Sequence, residues 1–437
     1  MSENMSENTR SGPLPDLLFR NVRLIDPASG RDGAGELLVR NGCIADIAER
    51  IEAPEGAAVI DGGGAVLCPG LVDMRAALGE PGFEYRETIA SAAAAASAGG
   101  ITTLAALPDS QPAIDDPALV HFLRARGAAT GRLTILPYGA VTRGCRGEEL
   151  AELGLLREAG AVAFSDGARA IHPARLMRLA LSYARGFGAR IVQHPEEPSL
   201  AAGGAATEGE LATRLGLPGI PACAEAILVA RDLRLAELTG GMVHFSRLST
   251  AEALALVRAA KARGVAVTCD TAPPYFALNE LAIGDFRSYA KLSPPLRAEA
   301  DREAVAEALA DGTLDAVVSD HQPRDADDKR LPFAEAAPGG AGLATLLAVT
   351  LAEYHGRRLT LSRVIELLTI APARLLGVEA GRLAKGLPAD LCLFAPERAW
   401  RVAAGALPGK AQNTPFDGRA LEGRVLGTWK AGRRVFG

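Results

Sequence analysis

The 437-residue sequence contains no apolar run that reaches the roughly 18 residues a membrane span requires. Its charges nearly balance, with 47 Lys and Arg against 52 Asp and Glu, so nothing indicates a surface for nucleic acid or anionic lipid. The six cysteines include no CxxC pair and mostly stand in apolar surroundings, which predicts reduced thiols in a cytoplasmic protein. Residues 1–13 are polar and lack the apolar stretch of a secretory leader, so we expect a disordered tail there.

Histidine is scarce as well, and this limits the metal sites that the chain can build. Of six histidines, His121 and His355 lie in helical patterns and are expected on the surface, while His172 precedes a proline in a loop. The three that stand in or just after predicted strands are His194, His244 and His321. A histidine-rich metal centre is therefore not expected.

Both ends of the chain have the pattern of short β-strands. Residues 14–68 alternate apolar stretches with turn signals, and Asn41-Gly42 between two such stretches predicts a hairpin. Residues 379–437 have the same character, in ADLCLFAP and RVLGTWKAGRRVF. We expect strands from the two ends to pair in an antiparallel manner and to form one small β-sandwich domain.

Residues 69–378 alternate short apolar strands with Ala/Leu-rich helical segments. Eight strands are predicted, in LVDM, ITTLAAL, LTILPYGAV, AVAFSD, RIVQH, MVHFS, VAVTCD and DAVVSD. Eight strand–helix units favour an α/β fold of the (β/α)8 barrel type, and an open parallel sheet is the alternative. Barrel active sites lie at the carboxyl ends of the strands. There Asp166 ends the fourth strand, His194 follows the fifth and Asp320 ends the eighth.

Several motifs resemble those of one enzyme family. The segment PGLVDMRAALGEPG resembles the dihydroorotase signature PGxVDxHxHxREPG, and EYRETI, GIPACAE, SPPLR, SDHQP and NTPFDGRALEGRV continue the likeness. The resemblance covers essentially the whole chain after residue 13. It implies an amidohydrolase barrel of pyrimidine biosynthesis, which in this family uses zinc to hydrolyse a cyclic amide.

The sequence departs from the family pattern at the metal-binding positions. The HxH pair corresponds to Arg75 and Ala77, and the histidine ligand of the sixth strand corresponds to Arg247. Three ligand-type residues remain, of which the last matches the family's catalytic aspartate: Asp166, His194 and Asp320. The resemblance makes His244 and His321 non-ligand residues.

The substrate-binding positions are altered too. Gly79 replaces the arginine that holds the substrate carboxylate in the family, and Asp109 replaces an asparagine. Ser293 stands for the asparagine of NPPLR, and Arg324 stands for the last histidine of DHAPH. These four positions are expected to be degenerate.

Zinc needs three or more good donors, and a guanidinium group is effectively always charged, so Arg75 and Arg247 would repel the metal. We therefore expect no bound cofactor and only vestigial roles for the remaining ligands. The two arginines would instead pair with Asp166 and Asp320, since buried carboxylates need a partner. The specific prediction is that at least one arginine forms a salt bridge with one of these aspartates.

Three functions remain open from the sequence. The first is an inactive dihydroorotase-like subunit of aspartate carbamoyltransferase, within a homo- or hetero-oligomer. The second is an active cyclic-amide hydrolase, related to dihydroorotase, allantoinase or hydantoinase, with a degenerate or single-metal site. The third, a sensor that binds a small ligand in the emptied pocket, has less support. The first is favoured because ligands and the carboxylate-binding arginine are lost together.

Overall fold

The computed structural model describes residues 14–437, so the predicted tail at 1–13 lies outside the described residues. The strands are β1 Leu17–Asp26, β2 Arg31–Arg40, β3 Cys43–Ala48, β4 Ala58–Asp61, β5 Val66–Pro69, β6 Leu71–Ala76, β7 Ile101–Ala106, β8 Thr134–Ala140, β9 Ala163–Ser165, β10 Arg190–Gln193, β11 Ala206–Thr207, β12 Gly219–Ile220, β13 Met242–Phe245, β14 Val267–Thr271, β15 Ala316–Val317, β16 Leu391–Arg401, β17 Ala420–Lys430 and β18 Arg433–Phe436. The α-helices are α1 Ile89–Ala98, α2 Pro117–Ala129, α3 Leu153–Ala159, α4 Ala174–Arg185, α5 Pro198–Ala201, α6 Glu210–Leu215, α7 Cys223–Thr239, α8 Ala251–Ala262, α9 Pro273–Ala277, α10 Glu299–Ala310, α11 Ala326–Arg330, α12 Leu346–His355, α13 Leu361–Leu368 and α14 Ile370–Leu376. Within this described range, no helix is both long and apolar enough to span a membrane.

Local sequence explains where several helices begin and which face they bury. Thr88 precedes α1 and forms a capping box with Ser91, and Thr250 caps α8 by accepting from the backbone N–H of Ala253. Helix α4 buries one face, whose residues recur at helical spacing and are Leu176, Met177, Ala180, Leu181 and Ala184. Capping and one-sided burial thus set the helices against the sheet.

The predicted barrel is confirmed. Strands β6, β7, β8, β9, β10, β13, β14 and β15 lie side by side in that order and every pair is parallel. A parallel bridge between Ala76 and His321 joins the first strand to the chain just after the last, which nearly closes the ring. The closure excludes the open-sheet alternative. It also brings the ends of the first, sixth and eighth strands to one mouth.

Strands from both chain ends form one eight-stranded mixed sheet. Here β5 pairs with β16 in an antiparallel manner, so Cys68 lies opposite Cys392 and the predicted pairing of the two ends is confirmed. The hairpin prediction also holds, because Asn41 and Gly42 join β2 to β3 with φ of 48° and 79°. The hydrophobic core of this mixed sheet includes Phe19 and residues of both end segments. The division of the chain at residues 68 and 378 stays a prediction.

Candidate functional site

The carboxylate of Asp320 receives both arginines at the barrel mouth. Arg75 Nε lies 3.0 Å from Asp320 Oδ1, and Arg247 Nη1 lies 3.2 Å from Oδ1 and 3.3 Å from Oδ2. The two arginines are 1% and 0% exposed, and Asp320 is 8% exposed. The predicted salt bridge is confirmed, and it is formed by two cations instead of one.

The first strand and the segment after the last one fix Arg75 and Asp320 relative to each other. Asp73 Oδ1 accepts the backbone N–H of Arg75 at 3.2 Å and that of Ser319 at 2.9 Å. Its other oxygen accepts the hydroxyl of Ser319. Asp320 has φ +45°, a left-handed conformation that is uncommon for a residue with a side chain. Such a strained conformation is kept only where surrounding contacts hold it in place, and the salt bridge with Arg75 is one of these contacts.

Arg247 is held in a similar way from the sixth and seventh strands. Its φ is +69°, its backbone N–H donates to Asp270 Oδ1 at 2.7 Å, and its Nη1 donates to the carbonyl of Ser293 at 2.6 Å. Asp270 also lies 2.8 Å from His244 Nε2, while His244 Nδ1 lies 2.8 Å from Thr268 Oγ1. Both ring nitrogens of His244 are therefore engaged, in keeping with its expected non-ligand role.

Asp320 is the carboxylate that contacts both arginines at the mouth, and Glu196 acts on Arg247 only from a greater distance. Burial and the nearby charge of Arg247 lower the pKa of Arg75. Burial acts in the same direction on Arg247, but the carboxylate of Asp320, with help from Tyr275 and Glu196, outweighs it and raises the pKa. Both guanidinium groups remain charged at neutral pH. Asp320 thus provides the direct countercharge for both arginines.

His194 stands beside this group as a neutral ring. Burial and the charge of Arg247 lower the pKa of His194 to about 4. Its Nε2 lies 3.4 Å from Ser293 Oγ and 3.7 Å from Glu196 Oε2, and within the described chain Nδ1 has no hydrogen-bond partner. Burial and a positive neighbour therefore keep this ring uncharged at neutral pH.

Asp166 does not take part in the arginine cluster, so the expected pairing of an arginine with Asp166 is wrong. Its Oδ1 accepts the backbone N–H groups of Val141 and Thr142 at 3.0 and 2.9 Å, and its Oδ2 accepts the Thr142 hydroxyl at 2.5 Å. Burial raises the pKa of Asp166 to about 6 despite these bonds. Asp166 therefore links the ends of the third and fourth barrel strands, and its oxygens are occupied by donors from Val141 and Thr142.

Three of the four degenerate substrate positions surround one small cavity. Gly79, Asp109 and Arg324 line a space of about 80 Å³ together with Ala77, whereas Ser293 lies elsewhere, against Arg247 and His194. Gly79 has φ +70°, and a Cβ there would lie 2.4 Å from the carbonyl oxygen of Glu87. An arginine is therefore incompatible with this backbone, and the change at position 79 extends to the main chain.

Comparison with known proteins identifies the family. Residues 64–253 match the family model described as dihydro-orotase-like. A dihydroorotase of Pelobacter propionicus is 44% identical over 421 residues, which cover 96% of this chain and 99% of that protein. The chain belongs to the dihydroorotase family. A dihydroorotase of Anaeromyxobacter dehalogenans is likewise 44% identical, over 425 residues that cover 97% of this chain and 98% of its own.

Solved structures similar to this dihydroorotase-family chain support the fold. The L-hydantoinase of Arthrobacter aurescens superposes with a TM-score of 0.85 over 97% of this chain and 96% of its own, at 24% sequence identity. A dihydropyrimidinase of Brevibacillus agri has a TM-score of 0.79 at 21% identity, with 96% and 95% of the two chains covered. At these identities the likeness concerns the fold alone.

The residues present do not fit the zinc that the dihydroorotase family uses. In residues 14–437, Asp166, His194 and Asp320 do not bring three ligand atoms within 4.8 Å of one another. Asp320 Oδ1 already accepts from Arg75, Arg247 and Gln322 Nε2, the last at 3.1 Å. Two fixed positive charges on the same carboxylate oppose a divalent cation.

The sequence motifs did not predict the contacts of three residues with the singled-out positions: Glu196 with His194, Gln322 with Asp320 and Thr142 with Asp166. Glu196 follows His194 by two positions, and Gln322 follows Asp320 by two, so each follows a singled-out residue closely in the sequence. The closeness of these two residues to singled-out positions was the one signal that the sequence offered. The use of Thr142 by Asp166 depends on backbone geometry that the sequence pattern does not reveal.

Proposed function

We propose that this member of the dihydroorotase family has no hydrolase activity and serves as a structural subunit of aspartate carbamoyltransferase in the cytoplasm. The observation that carries the first part is the contact of Arg75 and Arg247 with Asp320. The chain keeps the whole barrel but fills the position of the reaction centre with ion pairs. A role that depends on the outer surface of the fold, such as subunit contact, does not need that centre.

The loss of activity follows from what the metal supplies in hydrolysis of a cyclic amide. A bound metal lowers the pKa of water to near neutrality and polarises the carbonyl that is attacked. Two guanidinium groups can offer hydrogen bonds to an oxyanion, but they do not generate hydroxide from water. Both oxygens of Asp320, which matches the family's catalytic aspartate, already accept hydrogen bonds from these groups and are not free to take a proton from water.

Loss of substrate binding supports the same proposal. Gly79 provides no side chain to hold a carboxylate, and its backbone leaves no room for one. Asp109, at the rim of the same cavity, adds a negative charge in place of a neutral amide. Ground-state binding of a carboxylate-bearing substrate is thus weakened independently of the metal.

The partner is proposed from family resemblance, which is an argument by analogy. The close match along 96–97% of the chain supports a role that needs the whole fold. The test is to tag this chain in its host and determine whether native aspartate carbamoyltransferase co-purifies, then to delete it. Co-purification with a smaller or less active transferase after deletion supports the proposal. A transferase of unchanged size and activity in the deletion strain overturns it.

The second candidate is an active cyclic-amide hydrolase with a degenerate or single-metal site. It is favoured by one observation, that relatives 44% identical to this chain carry the name dihydroorotase. Hydrolysis of dihydroorotate, allantoin and hydantoin by the purified chain distinguishes the two candidates. Turnover that Asp320→Ala abolishes would establish the hydrolase and refute the non-catalytic role.

A further inference from the structure

A second group of ligand-type side chains lies far along the chain from the barrel mouth. His355 is the last residue of α12, Glu397 lies in β16 and Glu422 lies in β17. One ligand atom of each falls within 4.8 Å of the other two, and within residues 14–437 no other trio of such side chains is this close. Three separate elements thus converge on one point at the surface.

The backbone of the two strands holds the carboxylates together. Glu422 is the register partner of Ala399, and the β16–β17 ladder is irregular between Ala395 and Ala399, which is where Glu397 stands. Such an irregularity re-aims side chains relative to the partner strand. The arrangement places both carboxylates on the end of α12.

A backbone contact orients the imidazole of His355. Its Nε2 lies 3.2 Å from the carbonyl oxygen of Pro396, and a carbonyl accepts only from N–H, so Nε2 carries a proton. In the neutral ring Nδ1 is then a lone pair, and it faces Glu397 Oε2 at 3.7 Å and Glu422 Oε2 at 3.6 Å. An outer contact that fixes the tautomer in this way is the usual support of a metal-binding histidine.

The distances suit a shared cation better than direct hydrogen bonds. Separations of 3.6 and 3.7 Å are too long for N–H···O bonds. Two ligand atoms that each lie about 2.1 Å from a tetrahedral zinc stand about 3.4 Å apart. Neither glutamate side chain has a hydrogen bond or a Lys or Arg partner among the described residues, so His355 is the only group that faces both carboxylates there.

We propose that His355, Glu397 and Glu422 form a surface site for a divalent cation of the zinc class. The protein supplies three ligands and leaves the fourth position to water, because the carboxylates are 72% and 52% exposed. The ion ties the end of α12 to the β16–β17 pair. This site is independent of the barrel mouth and of the proposed loss of catalysis.

The test is titration of the full, EDTA-treated chain with zinc chloride at pH 8, where free histidine is neutral. We expect one saturable zinc, with affinity at least about tenfold weaker in His355→Ala and in Glu422→Gln, since loss of even an outer partner costs about that much. His121→Ala, which alters an exposed helical histidine of α2, should bind as the wild type does. Zinc should raise the melting temperature of the wild type and of His121→Ala only.

Two results would overturn the proposal. One is the absence of saturable zinc binding by the wild type, which would mean that the three side chains form an ordinary protonated ion-pair cluster. The other is zinc binding by His355→Ala and Glu422→Gln that equals that of the wild type. Glu422→Gln keeps the shape of an exposed side chain, so it preserves the test if the histidine variant folds poorly.

Discussion

Truncation of Arg247 probes the arginine cluster most selectively. The variant Arg247→Ala removes a buried charge-assisted hydrogen bond to the Ser293 carbonyl and the contacts with both oxygens of Asp320. Breaking a buried ion pair by deleting one partner costs about 3–5 kcal/mol. Asp320 keeps Arg75 and Gln322 as donors, so the expected loss lies near the lower end, at about 3 kcal/mol.

Urea unfolding followed by tryptophan fluorescence measures this loss as a shift of the midpoint at constant slope. Arg234→Ala is the matched control, because the Arg234 side chain is 80% exposed and, among residues 14–437, pairs only with Glu237. Its effect should stay within about 0.5 kcal/mol. A double-mutant cycle with Asp320→Asn should give a coupling of about 1–3 kcal/mol. An Arg247→Ala midpoint equal to that of the control, with additive effects in the cycle, would refute the reasoning.

Two further predictions concern groups around the cluster. Burial lowers the pKa of His194 from its ordinary value to about 4, so the stability that the neutral ring contributes is present above about pH 6.5 and is lost as the pH falls towards 4. Between about pH 6.5 and 4, the free energy of unfolding should therefore fall by about 3 kcal/mol less in His194→Asn than in the wild type. Equal pH profiles for the two proteins would contradict this. Thr142→Val leaves a buried oxygen of Asp166 without its hydroxyl donor and should lower the unfolding free energy by about 1–3 kcal/mol, whereas Thr142→Ser keeps the donor and should cost clearly less; equal losses in both variants would show that the hydroxyl is unimportant.

The sequence predicted the barrel because parallel strands buried on both faces appear as short continuous apolar runs between helical segments. It predicted the salt bridge for a different reason, which is that a charged side chain at a strand end inside a barrel needs a countercharge. The first argument needs only residue types and spacing, whereas the second also needs the resemblance to dihydroorotase, which implies that Arg75 and Arg247 stand at metal-ligand positions. The pairing of Arg75 and Arg247 with Asp320 was within reach of such reasoning.

The remaining details depend on backbone geometry. Asp166 is satisfied by the backbone of Thr142, and this depends on how two neighbouring strands end. Glu196 lies 3.7 Å from His194 because of the turn after β10, and its charge acts on Arg247 without a direct salt bridge. The close approach of Gly79 to the carbonyl of Glu87 likewise depends on the course of the backbone. No residue pattern in one sequence specifies these paths.

The most direct test of the central claim is a combined measurement of metal content and turnover. It uses the His355→Ala variant, which removes the proposed surface site, purified without chelator and assayed with dihydroorotate and with carbamoyl aspartate in the reverse direction. The account predicts far less than one zinc per chain and no turnover above the Asp320→Ala background, because Arg75 and Arg247 occupy the carboxylate that a metal would need. One tightly held zinc per chain, with turnover that disappears in the additional variant Asp320→Ala, would contradict it.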